Sequence, residues 1–374
     1  MAKPTKKEQK YQEIQDGWDN LLAGLGGKGD RALQSKVGYK ALLTELELTN
    51  VWFSEGMARK IVTVVADDMT RAGFTVDGDE DGKINDVLRG LDANNLINVA
   101  MYWARLYSGA IIVGDIANSG DLEAILPATY GEVERLRLFD KTEIQIQTQD
   151  LYDETSPLQG EPEYFMITPP EGGEQFKVHE SRCAWFKGDP IPNNSTSSPD
   201  INQRFWGASV LQALMDDVAA LGTTQQSLAN VMLEMTIGKL KLGNIGEILA
   251  ENNSKALYDR MEIVNLQKSV INMMILGKDE EFSRDQVTLT NVPEAIDKMY
   301  MRLQAVSNIP RVKLTGEQQS GLSNNDNAGL QNYYTDVEAR QLRDMYTPIS
   351  RIVAWVNTSL KVPKVAEPPV IEFN

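Results

Sequence analysis

Few residues in this chain have the types and spacing for chemistry. His179 is its only histidine in 374 residues, and Glu180 and Ser181 follow it directly. A general base beside a hydroxyl nucleophile can therefore be assembled only here. Adjacent side chains on a strand point to opposite faces, and His179 reads as structural. A single histidine also excludes two-histidine phosphoesterases, zinc sites built on several histidines and HxxxH metalloproteases. Cys183, the only cysteine, sits among apolar residues. It rules out an intrachain disulfide and any multi-cysteine metal site, fits a reducing cytosol, and reads as an inert core thiol.

Two carboxylate runs could hold a cation. Asp77, Asp79, Asp81, Gly82, Ile84 and Asn85 fall where a DxDxDG calcium loop places its residues, but the twelfth position is Leu88 rather than a bidentate glutamate. An exposed acidic turn ahead of a helix from Ile84 to Leu91 is the simpler reading. Asp279, Glu280 and Glu281 likewise read more simply as a solvated charge run than as metal ligands. Gly26-Gly27-Lys28 lacks both the GxxxxGK[ST] spacing and a preceding strand, so it is no phosphate loop. No cofactor, metal or catalytic activity is expected.

The elements that would position these residues are legible in outline. Met57 to Ala66 and Asn98 to Tyr107 read as helices, and Gly73 to Val76 as a strand. Ala110 to Asp115 reads as a buried strand, with further strands at 135–139, 143–148, 164–168 and 176–178. A long helical segment opens from Phe205. Its heptads place Leu211, Val218, Gln225 and Met232 on one seam, with Leu214, Leu221, Leu228 and Met235 on the adjoining one. Seven of these eight are apolar, the pattern of a helix packed lengthwise on neighbours. After a small mixed insert, with a helix over 244–268 and strands near 273–276 and 282–290, a second helix returns from Pro293 to Ser307. The polar run Glu317 to Asn327 is too polar for a core and too long for a tight turn; it suits a functional loop and a surface connection equally. Residues 328–360 read as helical, interrupted at Pro348.

The 53 acidic and 37 basic side chains give a net charge of −16. A protein that grips nucleic acid by neutralising phosphates would be basic, whereas one through which DNA must slide would not. No apolar run approaches the roughly 20 residues needed to span a bilayer, the start lacks the apolar core of a signal peptide, and no membrane partner is expected.

Several stretches together resemble the portal proteins of tailed bacteriophages, most of all a phage-portal-like family formerly of unknown function. They are Ala58-Arg59-Lys60-Ile61-Val62 with Ala66-Asp67-Asp68-Met69, Trp103 to Ala110, His179-Glu180-Ser181-Arg182 and Trp206 to Gln212. Ile309 to Gly316, Gly321-Leu322-Ser323 and Asn332-Tyr333-Tyr334 complete the set. The resemblance implies an α+β portal-like fold. Its parts would be an N-terminal arm (1–50), a mixed α/β wing (51–206), stem helices (207–240 and 292–308) around a clip (241–291), a tunnel-type loop (309–332) and a C-terminal helical region with tail (333–374). Relatives usually continue into a helical crown, which is here expected to be missing or reduced.

The implied assembly is a ring, a dodecamer, at one capsid vertex of the virion, formed in the host cytoplasm. Its implied partners are the terminase large subunit, head-completion and adaptor proteins, major capsid and scaffolding proteins, and double-stranded DNA held transiently. Leu211, Leu214, Val218, Leu221, Leu228, Met232 and Met235 would pack the stem. Lys298, Arg302, Arg311, Lys313, Gln318, Gln319, Asn324 and Asn325 are candidates to face DNA, with ordinary salt bridges an equal reading for the cations. Lys278, Asp279, Glu280 and Glu281 are candidates for docking at the clip. The alternatives are another virion ring or adaptor protein, and a phosphodiesterase such as some members of the family carry, which needs paired histidine motifs that one histidine cannot supply.

Overall fold

The computed structural model describes residues 42–169, 172–192, 201–234, 238–241, 281–284, 292–316, 323–362, 365–366 and 368–374. The chain divides into two units, Met1–Leu43 and Thr44–Asn374. The first helix of the second unit, α1 (Glu45–Ser54), starts inside the stretch expected to be an arm. The reason is a capping box: the Thr44 hydroxyl accepts the Glu47 N–H at 3.3 Å, and the Glu47 carboxylate accepts the Thr44 N–H at 2.8 Å. Helix α2 (Gly56–Thr70) buries Ala58, Ile61, Val62, Val65, Ala66 and Met69, a three-and-four spacing that makes one continuous apolar face.

Strand β1 (Phe74–Val76), α3 (Lys83–Gly90) and α4 (Ala93–Tyr107) follow, α4 beginning five residues before the expected start. Then come β2 (Gly109–Ile116), β3 (Val133–Asp140), the short β4 (Ile144–Gln145), β5 (Tyr164–Ile167), β6 (Phe176–His179) and β7 (Cys183–Lys187). They make two three-stranded antiparallel sheets, ordered β3-β2-β7 and β4-β5-β6. The expected strand 143–148 keeps only two residues, because Thr148–Asp150 tightens into a 3₁₀ turn. In the central strand Ala110, Ile111, Ile112 and Val113 are all buried, so the strand is covered on both faces. Ile111 and Val113 join Ile144, Phe165, Ile167, Val178, Cys183 and Trp206 in the core between the sheets.

The wall of that core is where the chain leaves the sheets. Helix α5 (Ile201–Trp206) ends at Trp206, whose ring lies over Gly109; a Cβ on Gly109 would come within 1.9 Å of the indole. Three backbone segments meet here. The Gly188 N–H is shared between the Ser108 carbonyl at 2.8 Å and the Trp206 carbonyl at 3.0 Å, and Asp189 and Ala208 exchange both of their backbone bonds. Gly207, at φ +90°, turns the chain. The helix expected to run unbroken from Phe205 is therefore broken. Ser209 caps a 3₁₀ turn (Val210–Ala213) and α6 (Met215–Glu234) starts beyond it. The expected stem span 207–240 also ends early, since Gly238–Lys241 is a strand, β8, paired antiparallel with β9 (Glu281–Arg284). The insert's expected helix and its 273–276 strand lie outside the described residues.

Helix α7 (Val292–Ser307) returns beside α6, followed by α8 (Arg311–Thr315) and α9 (Ser323–Arg340). The expected loop 309–332 is thus corrected: it is helical over 311–315 and again from Ser323, and of that span 317–322 lie outside the described residues. Nor is the helix interrupted at Pro348. A π segment (Gln341–Met345), in which the Tyr346 N–H reaches back to the Gln341 carbonyl, precedes α10 (Tyr346–Leu360). Pro348 is the third residue of α10, directly after the π segment. The last strand, β10 (Ile371–Phe373), pairs antiparallel with β1, Phe74 opposite Phe373.

Helix α10 buries Ile349, Ile352, Val353, Trp355 and Val356. Arg351 Nη1 donates to the Glu180 carbonyl at 2.8 Å, the Glu180 carboxylate at 2.7 Å and the Cys183 carbonyl at 3.0 Å. Trp355 Nε1 donates to the Ser181 carbonyl at 3.2 Å. Burial pushes the Cys183 thiol up, consistent with an inert core cysteine. His179 and Ser181 meet, and through a turn rather than along a strand. β6 ends at His179, and the 3₁₀ turn Glu180–Arg182 brings Ser181 back, so that His179 Nδ1 accepts the Ser181 N–H at 3.1 Å and lies 2.9 Å from its hydroxyl. An Nδ1 that accepts a backbone N–H carries no proton. Burial also holds the imidazole pKa below its ordinary value.

This packing sets two measurable outcomes. Gly109→Ala should lose about 1–3 kcal/mol by overpacking, seen as a lowered thermal midpoint, whereas Gly90→Ala, a helical position with open space at its Cβ, should hold or slightly raise it. A histidine depressed by burial stabilises the fold above its unfolded pKa of about 6.5, and that contribution is lost as pH falls through this value toward the folded pKa. His179→Asn, whose Oδ1 can replace Nδ1 as acceptor, should therefore cost more stability in denaturant melts at about pH 8 than at about pH 5.5. An equal cost at both would show that the imidazole is not held neutral by the fold.

Candidate functional site

Helices α6 and α7 bring most of the described candidate residues together. On the heptad seam Leu211, Leu214, Val218 and Leu221 are buried within the chain. Leu228 is half-buried, Met232 is 61% exposed beside exposed Val231, and Met235 lies outside the described residues. The seam is thus occupied internally at its start and open at its far end. Gln225, its one polar position, donates to the Tyr300 hydroxyl of α7 at 3.0 Å.

Each of the four cations expected near DNA has an acidic partner. Lys298 Nζ lies 3.2 Å from Glu294 one turn back, Arg302 Nε 2.6 Å from Asp217 on α6, and Arg311 Nη1 2.8 Å from Asp297, its guanidinium also over the Tyr300 ring. Lys313 Nζ lies 3.0 Å from Asp68. Such exposed pairs as Lys298–Glu294 add little stability. Their consequence is electrostatic, because a cation facing a carboxylate offers phosphate a weaker contact.

Lys313 belongs to a more buried group. The Asp68 carboxylate, only 7% exposed, also accepts the Tyr333 hydroxyl at 2.8 Å, and the Lys313 ammonium sits over the Tyr333 and Tyr334 rings. Burial alone would lower the Lys313 pKa, but its bonds to Asp68 and Tyr334 outweigh that and leave it raised. Burial, then the bond to Asp68, raises the Tyr333 phenol. The neighbouring Asp67 faces α4, accepting from Tyr102 and from Asn98 at 3.2 Å; burial and this carboxylate push Tyr102 up to about 12. Gln341, buried in the π segment, donates to the Met69 carbonyl at 2.7 Å. The end of α2 is therefore bonded to α4, α8, α9 and the π segment at once. Asp67-Asp68 and Tyr333-Tyr334 stood out in the sequence as motifs, but nothing in it showed that Asp68 and Tyr333 are partners.

Of the remaining candidates, Asn324 and Asn325 lie in the first turn of α9, and Glu281 opens β9 opposite Lys241. Gln318, Gln319, Lys278, Asp279 and Glu280 lie outside the described residues. The acidic turn is used internally, the Asp79 carboxylate accepting the Ile84 and Asn85 N–H groups at the start of α3 while Lys83 pairs with Asp81. Among the described residues no three acidic, histidine or cysteine side chains converge to hold a metal, and no helix is long and apolar enough to cross a membrane.

Comparison with known proteins agrees with this architecture. The fold is similar to a chain in the neck of a native GTA particle computed with C12 symmetry, with a TM-score of 0.56 and 11% identity over 92% of this chain and 88% of that one. A chain of the virion of a native gene transfer agent particle gives 0.54 and 13% over the same shares. Two curated relatives bear the name anti-CBASS protein Acb1. The one from Caulobacter sp. (strain RHG1) is 25% identical over 90% of this chain, and the one from Sphingomonas paeninsulae 27% over 87%. The chain spans about half the length of these relatives, 55% and 53%. The family model described as phage portal protein matches residues 46–374, from the first helix to the last strand, and the chain belongs to that family.

Proposed function

We propose that this chain is a portal subunit, one copy of a dodecameric ring at a capsid vertex through which double-stranded DNA passes during packaging and ejection. The family match over 46–374 carries the reading. Apolar side chains that the chain leaves exposed on α6 and α7, Val231, Met232, Met301 and Val306, support an assembly in which copies cover them. In this reading α6 and α7 are the stem and the insert between them the clip, which docks the terminase motor and later the head-completion and adaptor proteins. Capsid and scaffolding proteins surround the ring, which forms in the host cytoplasm.

The subunit itself would do no catalysis. Its histidine is a capping residue and its cysteine a core thiol, and the described carboxylates near the candidate site are spent on cations and helix ends. The paired cations and the net charge of −16 suit a wall that lets a polyanion slide without holding it.

Light scattering and negative-stain microscopy of the purified protein test the assembly. A closed ring with a hole wide enough for duplex DNA is expected, and a strict monomer across concentration and salt would contradict it. Replacing Glu294 by Gln and Asp217 by Asn together takes these carboxylates from the exposed Lys298 and Arg302. Duplex binding should then strengthen, and its logarithmic salt dependence steepen by about 0.9 for each further phosphate neutralised. An unchanged salt slope would remove these cations from the channel wall.

A further inference from the structure

A cavity of about 240 Å³ opens where the start of α10 meets β5, β7 and the stretch 152–162, away from the long helices. Leu158, Pro162, Phe165, Trp185 and Pro348 give it an apolar wall. Its charged and titratable lining is Tyr152, Glu161, Glu180, Lys187 and Arg351. Two cations thus face two acids, and Arg351 is already joined to Glu180 at 2.7 Å. A space so balanced in charge suits a small neutral body with an apolar chain better than a free ion.

One group in this lining differs from its counterparts elsewhere. Lys83, Lys141, Lys177, Lys298 and Lys313 each lie within 3.2 Å of a carboxylate. Lys187 has none in contact among the described residues. It stands two residues from Trp185 on β7, so the two share a face. Its Nζ lies 3.7 Å from the centre of the indole ring, which holds an ammonium less firmly than a carboxylate does.

The consequence is a difference in nucleophilicity, because only a neutral amine attacks a carbonyl. Bonds to Asp81 and Asp150 raise the pKa of Lys83 and Lys177 and keep both protonated. At Lys187 the sign is opposite. Desolvation lowers its pKa, and Glu161 counteracts this without reversing it. The residue as a whole is nonetheless exposed, so a reagent can reach the amine.

We propose that Lys187 is a modification site, whose amine takes a short apolar acyl group from a thioester seated in the cavity, with the acyl chain against Leu158, Pro162 and Phe165. In that step Nζ attacks the thioester carbonyl carbon and a C–N bond forms. The C–S bond breaks with its electron pair going to sulfur, and the proton lost by nitrogen ends on the thiolate. Nothing is oxidised or reduced. The product is a neutral amide, so the face of Trp185 loses its cation.

The full chain tests this without any substitution. It is treated at about pH 8, below the ordinary lysine pKa, with limiting S-acetyl-N-acetylcysteamine or, separately, its S-butyryl homologue. Acylation at each lysine is then read by peptide mass spectrometry. Lys60 and Lys361, exposed and likewise without a carboxylate partner, are the internal references. Lys187 should lead both references several-fold with the acetyl compound and by a wider margin with the butyryl one. In denaturant the lead should vanish. Labelling of Lys187 at or below the references, an equal margin for both chain lengths, or a lead that survives unfolding overturns the proposal.

Discussion

The closest constraint in this molecule is the contact between Trp206 and Gly109. A large indole is laid on the start of the central strand, and the approach is possible only because that position has no side chain. Everything downstream is oriented by it. The same few residues let the Ser108, Gly188 and Trp206 backbones share hydrogen bonds, which fixes the direction in which the chain leaves the sheets toward the long helices. A buried cation reinforces the arrangement. Arg105, without an acid in contact, donates to the Val62 and Ile61 carbonyls of α2 at 3.0 Å each, while the Ser209 hydroxyl donates to the Arg105 carbonyl. Burial pulls the guanidinium down to about 10, so it stays charged at neutral pH. A cation held only by backbone dipoles in a dry site tolerates little displacement, so α2, α4 and the root of α6 keep a fixed geometry.

Away from that junction the charges are arranged differently. Acids outnumber bases, and the bases near the long helices each have a carboxylate within reach. In a low-dielectric interior this would be a matter of stability, but at an exposed surface the pairs are energetically minor and act mainly by setting the local field. The Asp68–Lys313–Tyr333 group is the exception. There the same pairing is largely buried, and it anchors the end of α2 to the helices that follow α7.

Much of this was legible in the sequence, for physical reasons that also explain the misses. The buried strand at 110–115 and the helix at 57–66 announced themselves by unbroken apolar content and by three-and-four spacing. The Thr44–Glu47 capping box was equally readable, yet the polar, glycine-rich stretch before it hid the start of α1. The break after Phe205 was invisible to heptad counting, because Ser209 and Gly207 act through φ and a capping bond rather than through hydrophobicity. The polar residues at the start of α9 looked like a loop because composition alone does not separate a loop from a polar helix. As for the site, each cation could be named from the sequence, but its acid could not. Asp217 lies 85 residues from Arg302 and Asp68 lies 245 from Lys313, distances at which only the tertiary fold decides who meets whom.

The pairing of β1 with β10 carries a consequence for how the molecule comes to be folded. Thr75 and Glu372 are joined across 297 positions of chain, and α10, which covers the sheet, is contributed by residues after 345. The sheets can form early from neighbouring segments, but the face that α10 covers stays bare until the residues after 345 have left the ribosome. Contacts of such long sequence separation are slow to form, and exposed sheet is prone to self-association meanwhile. A chain that assembles as proposed thus passes through a stage in which it could associate in many other geometries. Synthesis rate and chaperone access would therefore govern how much of it matures.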